Sequence, residues 1–323
     1  MNGAGQKWYR RLDLLLITAV YIALIPMLSV NMVSEIIIFS IYALSYNLLY
    51  GYMGRLSVGP MLFLGTGVYG AAMCCLYLTA NPLVCILCGI ICGALMGMLL
   101  GPVTVRASGA SFALVNMAFN QVGFFMIQTG LAEWTGGADG KSLYFDTIGF
   151  LDFNQPMHIF GLALVCLLLA FFIMRRITDS PFGLVVKSIK EYDKRANYLG
   201  YDTHKTKVIV YVITATMSAF AGALYAIMFG YVTPSFISPT RNIEVIFATL
   251  IGGRGNIYGS LIGGAIFILI SSYLPNVIQR WEFFFGVILL VSVFWFNKGV
   301  PGIKDFFKPK GQKTVGNTKG GLR

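Results

Sequence analysis

The sequence predicts an all-α fold: a polytopic integral membrane protein of eight to ten transmembrane helices, one of them broken or re-entrant. Three observations carry this. Of 323 residues, 57% are hydrophobic and 11% charged, where a soluble domain carries about 25% charged residues; mean hydropathy is +0.73. Apolar runs long enough to cross a bilayer core, which takes ~20 residues, recur along the chain. The basic residues cluster at the ends of those runs, the positive-inside pattern. The clusters are Lys7, Arg10 and Arg11; Arg175, Arg176, Lys187, Lys190, Lys194, Arg195, Lys205 and Lys207; and Lys298 through Arg323. This placement explains a net charge of +11 without nucleic acid as a partner.

The runs are 12–30, 33–50, 58–79, 83–105, 111–130, 157–174 and 208–230, then an apolar stretch 242–274 and a last run 281–297. As one straight helix, 242–274 would be ~50 Å long at 1.5 Å per residue, against a bilayer core of ~30 Å. It also contains Gly252-Gly253-Arg254-Gly255-Asn256, which breaks a helix. Two segments are therefore expected, 242–252 and 258–274. The first is too short to cross alone, and broken backbone at depth needs protein or a water-filled cavity around it.

Orientation follows from charge. The basic N-terminus goes inside, Arg55 and Arg106 fall inside, and loop 131–156 falls outside with Glu133, Asp139, Asp146 and Asp152 against Lys141. Loop 175–207 returns inside as the most basic loop. Counting 242–252 as a crossing gives ten segments and keeps the basic tail inside. The expected organisation is a cytoplasmic N-terminus at 1–11, a membrane domain at 12–297 and a basic, disordered cytoplasmic tail at 298–323.

Several chemistries are excluded. Cys74, Cys75, Cys85, Cys88, Cys92 and Cys166 all lie in apolar runs; Cys85, Cys88 and Cys92 share a helical face, but no His or acid joins them, so packing is expected rather than a metal or redox site. Gly140-Lys141-Ser142 ends like a nucleotide-binding loop, but the required first glycine is Thr135. His158 and His204 have no triad or metal constellation around them. Acids that could relay protons inside the spans are nearly absent, and Glu35 and Glu244 sit near outer ends. No catalytic residue, metal or cofactor is expected, and the chain shows no energy source of its own.

The central loop carries the clearest signal. It reads Ser180-Pro181-Phe182-Gly183, continues through Ile189, Glu191, Asp193 and Ala196, and closes on Leu199-Gly200. Ser180-Pro181 is a helix start and Gly200 a C-cap, so one cytoplasmic helix over 181–200 is expected. This loop resembles the cytoplasmic coupling loop of ABC-importer permeases for branched-chain amino acids, of the LivM type, whose pattern is close to S-P-F-G-R-A-L-x-A-I-R-E-D-E-x-A-A-x-x-L-G. Arg195 stands where the first Ala of the pair is usual. Asn47-Leu48-Leu49-Tyr50-Gly51-Tyr52-Met53-Gly54-Arg55-Leu56-Ser57-Val58-Gly59 is similar to the family's N-L-x-x-G-Y-x-G-Q-x-S-x-G. Thr135 to Gly140 is similar to T-G-G-S-D-G, and Ile243-Glu244 with Gly252 to Gly259 to I-E followed by G-G-x-G-x-x-x-G. Four matches fall in order from about 45 to 264.

The resemblance implies half of a translocation pathway in the cell membrane, a second homologous permease subunit, two cytoplasmic ATPase subunits and an extracytoplasmic substrate-binding protein. It makes Ser180, Pro181, Phe182, Gly183, Glu191, Asp193, Ala196 and Gly200 the ATPase-coupling residues. Pathway candidates are the polar residues within spans, Asn47, Asn116, Asn120 and Gln121, together with Glu244. Asn116, Asn120 and, obliquely, Gln121 share a face; they line the pathway or hydrogen-bond between helices. Glycines at 51, 54, 59, 65, 67 and 70 allow close helix approach or unwound backbone. The family pattern near 112–121 is F-A-I-V-T-L-A-F-G-E, so Asn116 replaces Thr and Gln121 replaces Glu; Pro60 stands for His and Arg55 for Gln. These departures leave urea, short amides or other amino acids open beside branched-chain amino acids. A secondary transporter or channel is the other alternative.

Overall fold

The computed structural model describes residues 16–147, 153 and 155–277. The terminal segments 1–11 and 298–323 and the last apolar run 281–297 lie outside the described residues.

Within them the fold is helical. A first helix, α1, covers 16–24. The run predicted to continue to 30 stops there because Pro26 disfavours helix in the residue before it. Ser29 then caps α2, Val30–Asn47, its Oγ accepting from Met32 N at 3.3 Å, and α2 continues as a π-helix, Leu48–Tyr52. An irregular stretch leads to α3, Met61–Tyr77. Asn81 caps and Pro82 opens α4, Pro82–Thr104. α5, Ala110–Phe125, also ends in a π-helix, Met126–Gly130, followed by the single turn α6, Ala132–Thr135. β1, Lys141–Ser142, precedes α7, Pro156–Thr178. Then come α8, Pro181–Glu191, α9, Asp193–Tyr198, and the long α10, Thr203–Phe229. β2, Tyr231–Val232, and two 3₁₀ turns, Pro234–Ile237 and Pro239–Arg241, lead to α11, Asn242–Gly252, and α12, Ile257–Val277.

Among the described residues, six helices are long and apolar enough to cross a membrane: Val30–Tyr52, Pro82–Thr104, Ala110–Gly130, Pro156–Thr178, Thr203–Phe229 and Ile257–Pro275. α3 is shorter, because residues 58–60 of its predicted run 58–79 are not helical. The chain is a multi-pass membrane protein. α11 and α12 separate at Gly253 (φ 94) and Gly255 (φ 76), as the glycine run predicts.

The centre is α2, 89% buried across its apolar window. Around it, α3, α4 and α10 pack by close backbone approach. Gly89, Gly93 and Gly97 on α4 face Ala223, Ala219 and Ala215 on the antiparallel α10; a Cβ at Gly93 would lie 2.1 Å from that of Ala219. Lipid offers no hydrophobic drive for helix pairing, so small residues that maximise van der Waals contact do this work. By contrast α5 is only 17% buried across its window.

The loops sort to two ends. At one, β1 pairs with β2 in the register Lys141↔Val232, and Asp146 N donates to Ala80 O at 3.0 Å. At the other, the Arg55 guanidinium donates to Val105 O (3.0 Å) and Ala107 O (2.6 Å) and covers the Phe112 ring at 5.3 Å. This second end also holds the basic 175–207 loop, the end that the positive-inside rule expects in the cytoplasm. A cysteine at the exposed Ser142 is expected to react with a membrane-impermeant maleimide in intact cells, and one at the exposed Tyr198 only after permeabilisation. Labelling of Tyr198→Cys from outside would invert the topology.

Candidate functional site

Three groups of polar residues stand out against the apolar helices, at the inner end, in the middle and at the outer end of the bundle.

At the inner end, Ser180 caps α8: its Oγ accepts from Gly183 N at 3.3 Å and donates to Ile177 O at 2.6 Å. Pro181 fills the first helical position. Phe182 is half-buried and Gly183 buried, where a Cβ would lie 2.4 Å from Thr178 O. The expected single helix over 181–200 is instead two. Tyr192 is extended (φ −157, ψ 96) and separates α8 from α9. The physical cause is Lys207, whose side chain is 8% exposed. A buried ammonium needs a partner, and the break lets Asp193 at the start of α9 reach it as an ion pair. Ala196 is buried beneath α9, and Gly200 ends it at φ 89. Glu191 is exposed.

α8 is fastened to the π-helical end of α2. Lys190 Nζ donates to Gly51 O at 2.7 Å, and Lys187 lies over the Tyr52 ring at 5.4 Å. The same turn of α2 holds the α11–α12 break. Asn47, 1% exposed, accepts from Gly255 N and donates to Asn256 O, both at 2.9 Å. Arg254 covers the Tyr50 ring at 4.8 Å. Burial pushes the Arg55 guanidinium below its ordinary pKa, an effect that the Asp193 carboxylate partly offsets. The exposed Asp202 carboxyl, which accepts from Lys205 N at 3.0 Å, titrates below its ordinary value.

In the middle, two irregular segments meet, 53–60 and 233–241. Asn242 Oδ1 accepts from Met61 N at 2.8 Å, and Asn242 Nδ2 donates to Pro239 O at 2.9 Å and to Asn120 Oδ1. Asn120 Nδ2 donates to Ile237 O at 2.9 Å. One turn away on α5, Asn116 donates to Phe112 O at 2.7 Å and accepts from the Tyr211 hydroxyl at 2.7 Å. Asn116, Asn120 and Asn242 are buried, so each amide satisfies backbone or a neighbouring helix. Gln121, half-buried, does not join them.

At the outer end, Glu244 is held by Arg241 through Nε at 2.8 Å and Nη2 at 3.2 Å. Both border a cavity of about 90 Å³ that Glu35, Tyr225, Phe229 and Phe236 also line. A separate apolar cleft of about 960 Å³ opens between α3, α4 and α5. Among the described residues no group of three or more His, Cys, Asp or Glu gathers that could hold a metal ion.

The model of the family described as "Branched-chain amino acid transport system / permease component" matches residues 28–293. The chain belongs to that family. Among its relatives, the high-affinity branched-chain amino acid transport system permease protein LivM of Salmonella typhimurium is 22% identical to this permease over 297 residues, covering 84% of the chain and 69% of the relative. LivH of Escherichia coli is 31% identical over 118 residues, covering 35% and 38%. A probable LivM of Methanocaldococcus jannaschii is 21% identical over 186 residues, covering 53% and 54%. No solved structure matches the permease.

Sequence reasoning missed Asn242, Lys190, Lys207 and Arg241. Asn242 precedes Ile243-Glu244, which was read, and a polar amide opening an apolar segment was a usable signal. Lys190 and Lys207 were counted as loop charge, and nothing local distinguishes a latching lysine from a solvated one.

Proposed function

We propose that this permease forms half of the translocation pathway of an ABC importer for branched-chain amino acids. It pairs with a second homologous permease, two cytoplasmic ATPases drive it, and an extracytoplasmic binding protein delivers the solute. The observation that carries the reading is the α8–α9 element, which stands at the basic end and is fastened by Lys190 to the backbone of α2. Its outer surface supports a protein partner: Leu184, Tyr192, Tyr198 and Leu199 are each more than 60% exposed, outside any spanning helix. Exposed apolar groups gathered in this way mark an interaction site. Asp193 is occupied by Lys207, so Glu191 remains as the carboxylate for a basic group of the ATPase. The little-covered face of α5 suits lipid and the second permease. Of the pathway candidates, Asn47 and Asn120 act by holding irregular backbone in place at depth, Asn116 ties α5 to α10 through Tyr211, and Gln121 and Glu244 face the solute's route. The membrane domain spans 12–297, between a cytoplasmic N-terminus and a cytoplasmic tail.

The test is uptake of radiolabelled leucine, isoleucine and valine by a strain lacking its own transporters and supplied with the complete system. Uptake is expected to need the ATPases, and the purified permease alone is expected to bind no ATP. Uptake that persists without the ATPases would make the protein a channel or secondary transporter.

A further inference from the structure

We infer that the outer cavity binds an organic ammonium group, the amine end of the transported amino acid, between the Glu35 carboxylate and the surrounding aromatic rings. Only the identity of the solute rests on the transport reading above; the cavity chemistry stands on its own.

Among the described residues, three charged side chains line the cavity: Glu35, Arg241 and Glu244. Arg241 and Glu244 neutralise one another through two hydrogen bonds. Glu35 has neither an ion pair nor a hydrogen bond among the described residues, and the attraction of Arg241 for it is opposed by Glu244, so two carboxylates against one guanidinium leave one surplus negative charge. An ionisable side chain in the second turn of a spanning helix is expensive and is by default a functional group. The walls add to the same preference. Tyr225 and Phe229 stack at 5.8 Å, and Phe236 lies 6.1 Å and 5.6 Å from their centroids. Aromatic faces attract cations, and an aromatic cage around an ammonium ion is a recurrent recognition device.

Size agrees. A water occupies ~30 Å³, so a cavity of about 90 Å³ takes an ammonium group with its first carbons rather than a whole solute. A carboxylate would meet Glu35 while the one guanidinium is already engaged, so anions are rejected. Position agrees too. Met61 lines the cavity and donates its backbone N–H to Asn242, so a bound amine rests directly against the hydrogen-bonded middle of the bundle.

The test uses the full chain in lipid nanodiscs and three small probes read by saturation-transfer NMR. The probes are leucine, 3-methylbutylamine (leucine without its carboxylate) and 4-methylpentanoate (leucine without its amine). Leucine and the amine are expected to bind and 4-methylpentanoate not to. Glu35→Gln is expected to weaken both amine-bearing probes tenfold or more, with partial recovery in Glu35→Asp. Phe229→Leu, which keeps apolar bulk but removes a ring face, is expected to weaken them severalfold. Equal binding of 4-methylpentanoate and 3-methylbutylamine overturns the inference, as does amine binding that is unchanged in Glu35→Gln. If Glu35→Gln fails to fold, the three probes on the unmodified chain still decide. Because 3-methylbutylamine is not an amino acid, its binding upholds the cavity even if cells take up no leucine. Leucine uptake without any amine binding removes the cavity and leaves the transport reading standing.

Discussion

Asn242→Leu is expected to destabilise the folded permease by more than about 2 kcal/mol and to deplete it from the membrane. The change strands Met61 N–H and Asn120 Oδ1, both now bonded to the Asn242 side chain, while Pro239 O keeps the backbone N–H of residue 242. A buried polar group left without its partner costs ~1–3 kcal/mol. Interhelical side-chain bonds in membranes average only about 0.6 kcal/mol, because the unfolded helices find substitutes. Met61 N–H is a backbone donor in the first turn of α3, with no intrahelical acceptor to fall back on. The larger figure therefore governs. Asn242→Asp separates shape from chemistry: it still accepts from Met61 N but turns a carboxylate toward Pro239 O and Asn120 Oδ1, and it is expected to be nearly as damaging. Melting of the detergent-purified variants measures both. A leucine variant that melts with the unmodified protein would show that the middle of the bundle does not depend on this amide.

Lys190→Ala is expected to leave the permease inserted and folded while lowering uptake about tenfold, since a hydrogen bond to a charged donor is worth ~1.5–3 kcal/mol. Lys190 is on the exposed side of α8, so its loss opens no core. Its bond to Gly51 O is a direct tie between α8 and a spanning helix. ATP hydrolysis by the assembled importer should continue, so the ratio of solute imported to ATP hydrolysed falls. Gly200→Val, which places a β-branched residue at φ 89, and Glu191→Lys, which reverses the exposed charge, should lower the same ratio. Unchanged ratios in all three variants would take the coupling role away from 181–200.

Much of this architecture was legible because it depends on local rules. Ser180-Pro181 starts a helix by capping and by the geometry of proline, and Gly252 to Asn256 breaks one by positive φ; both stand where the sequence put them. Tyr192 was not legible. Nothing between Pro181 and Gly200 disfavours helix, and the break exists because Lys207, 14 residues later, is buried and draws Asp193 toward it. The four-residue glycine repeat from Gly89 to Gly101 was in plain view, but its meaning needed the matching Ala215, Ala219 and Ala223 on a helix more than 100 residues away. The open choice for Asn116 and Asn120 turned on partners, Tyr211 and Asn242, that only the packed bundle brings within reach.

Gly51 and Asn47 lie about one turn apart on α2. The first carbonyl receives Lys190, and the second side chain grips both sides of the turn between α11 and α12. On the proposed coupling role, drive and load share one pivot, and no stroke has to be relayed across the width of the bundle. α11 is a rod of 11 residues, about 16 Å long, pinned at the pivot by that turn and at its far end by Asn242. A shift of about 2 Å at the pivot, the scale of helix displacements in switching proteins, tilts such a rod by about 7° for its length. With the Asn242 end held, the tilt reorients Arg241 and Glu244, which border the outer cavity, so on the proposed coupling role a displacement of α8 reaches the outer end of the bundle through a single helix.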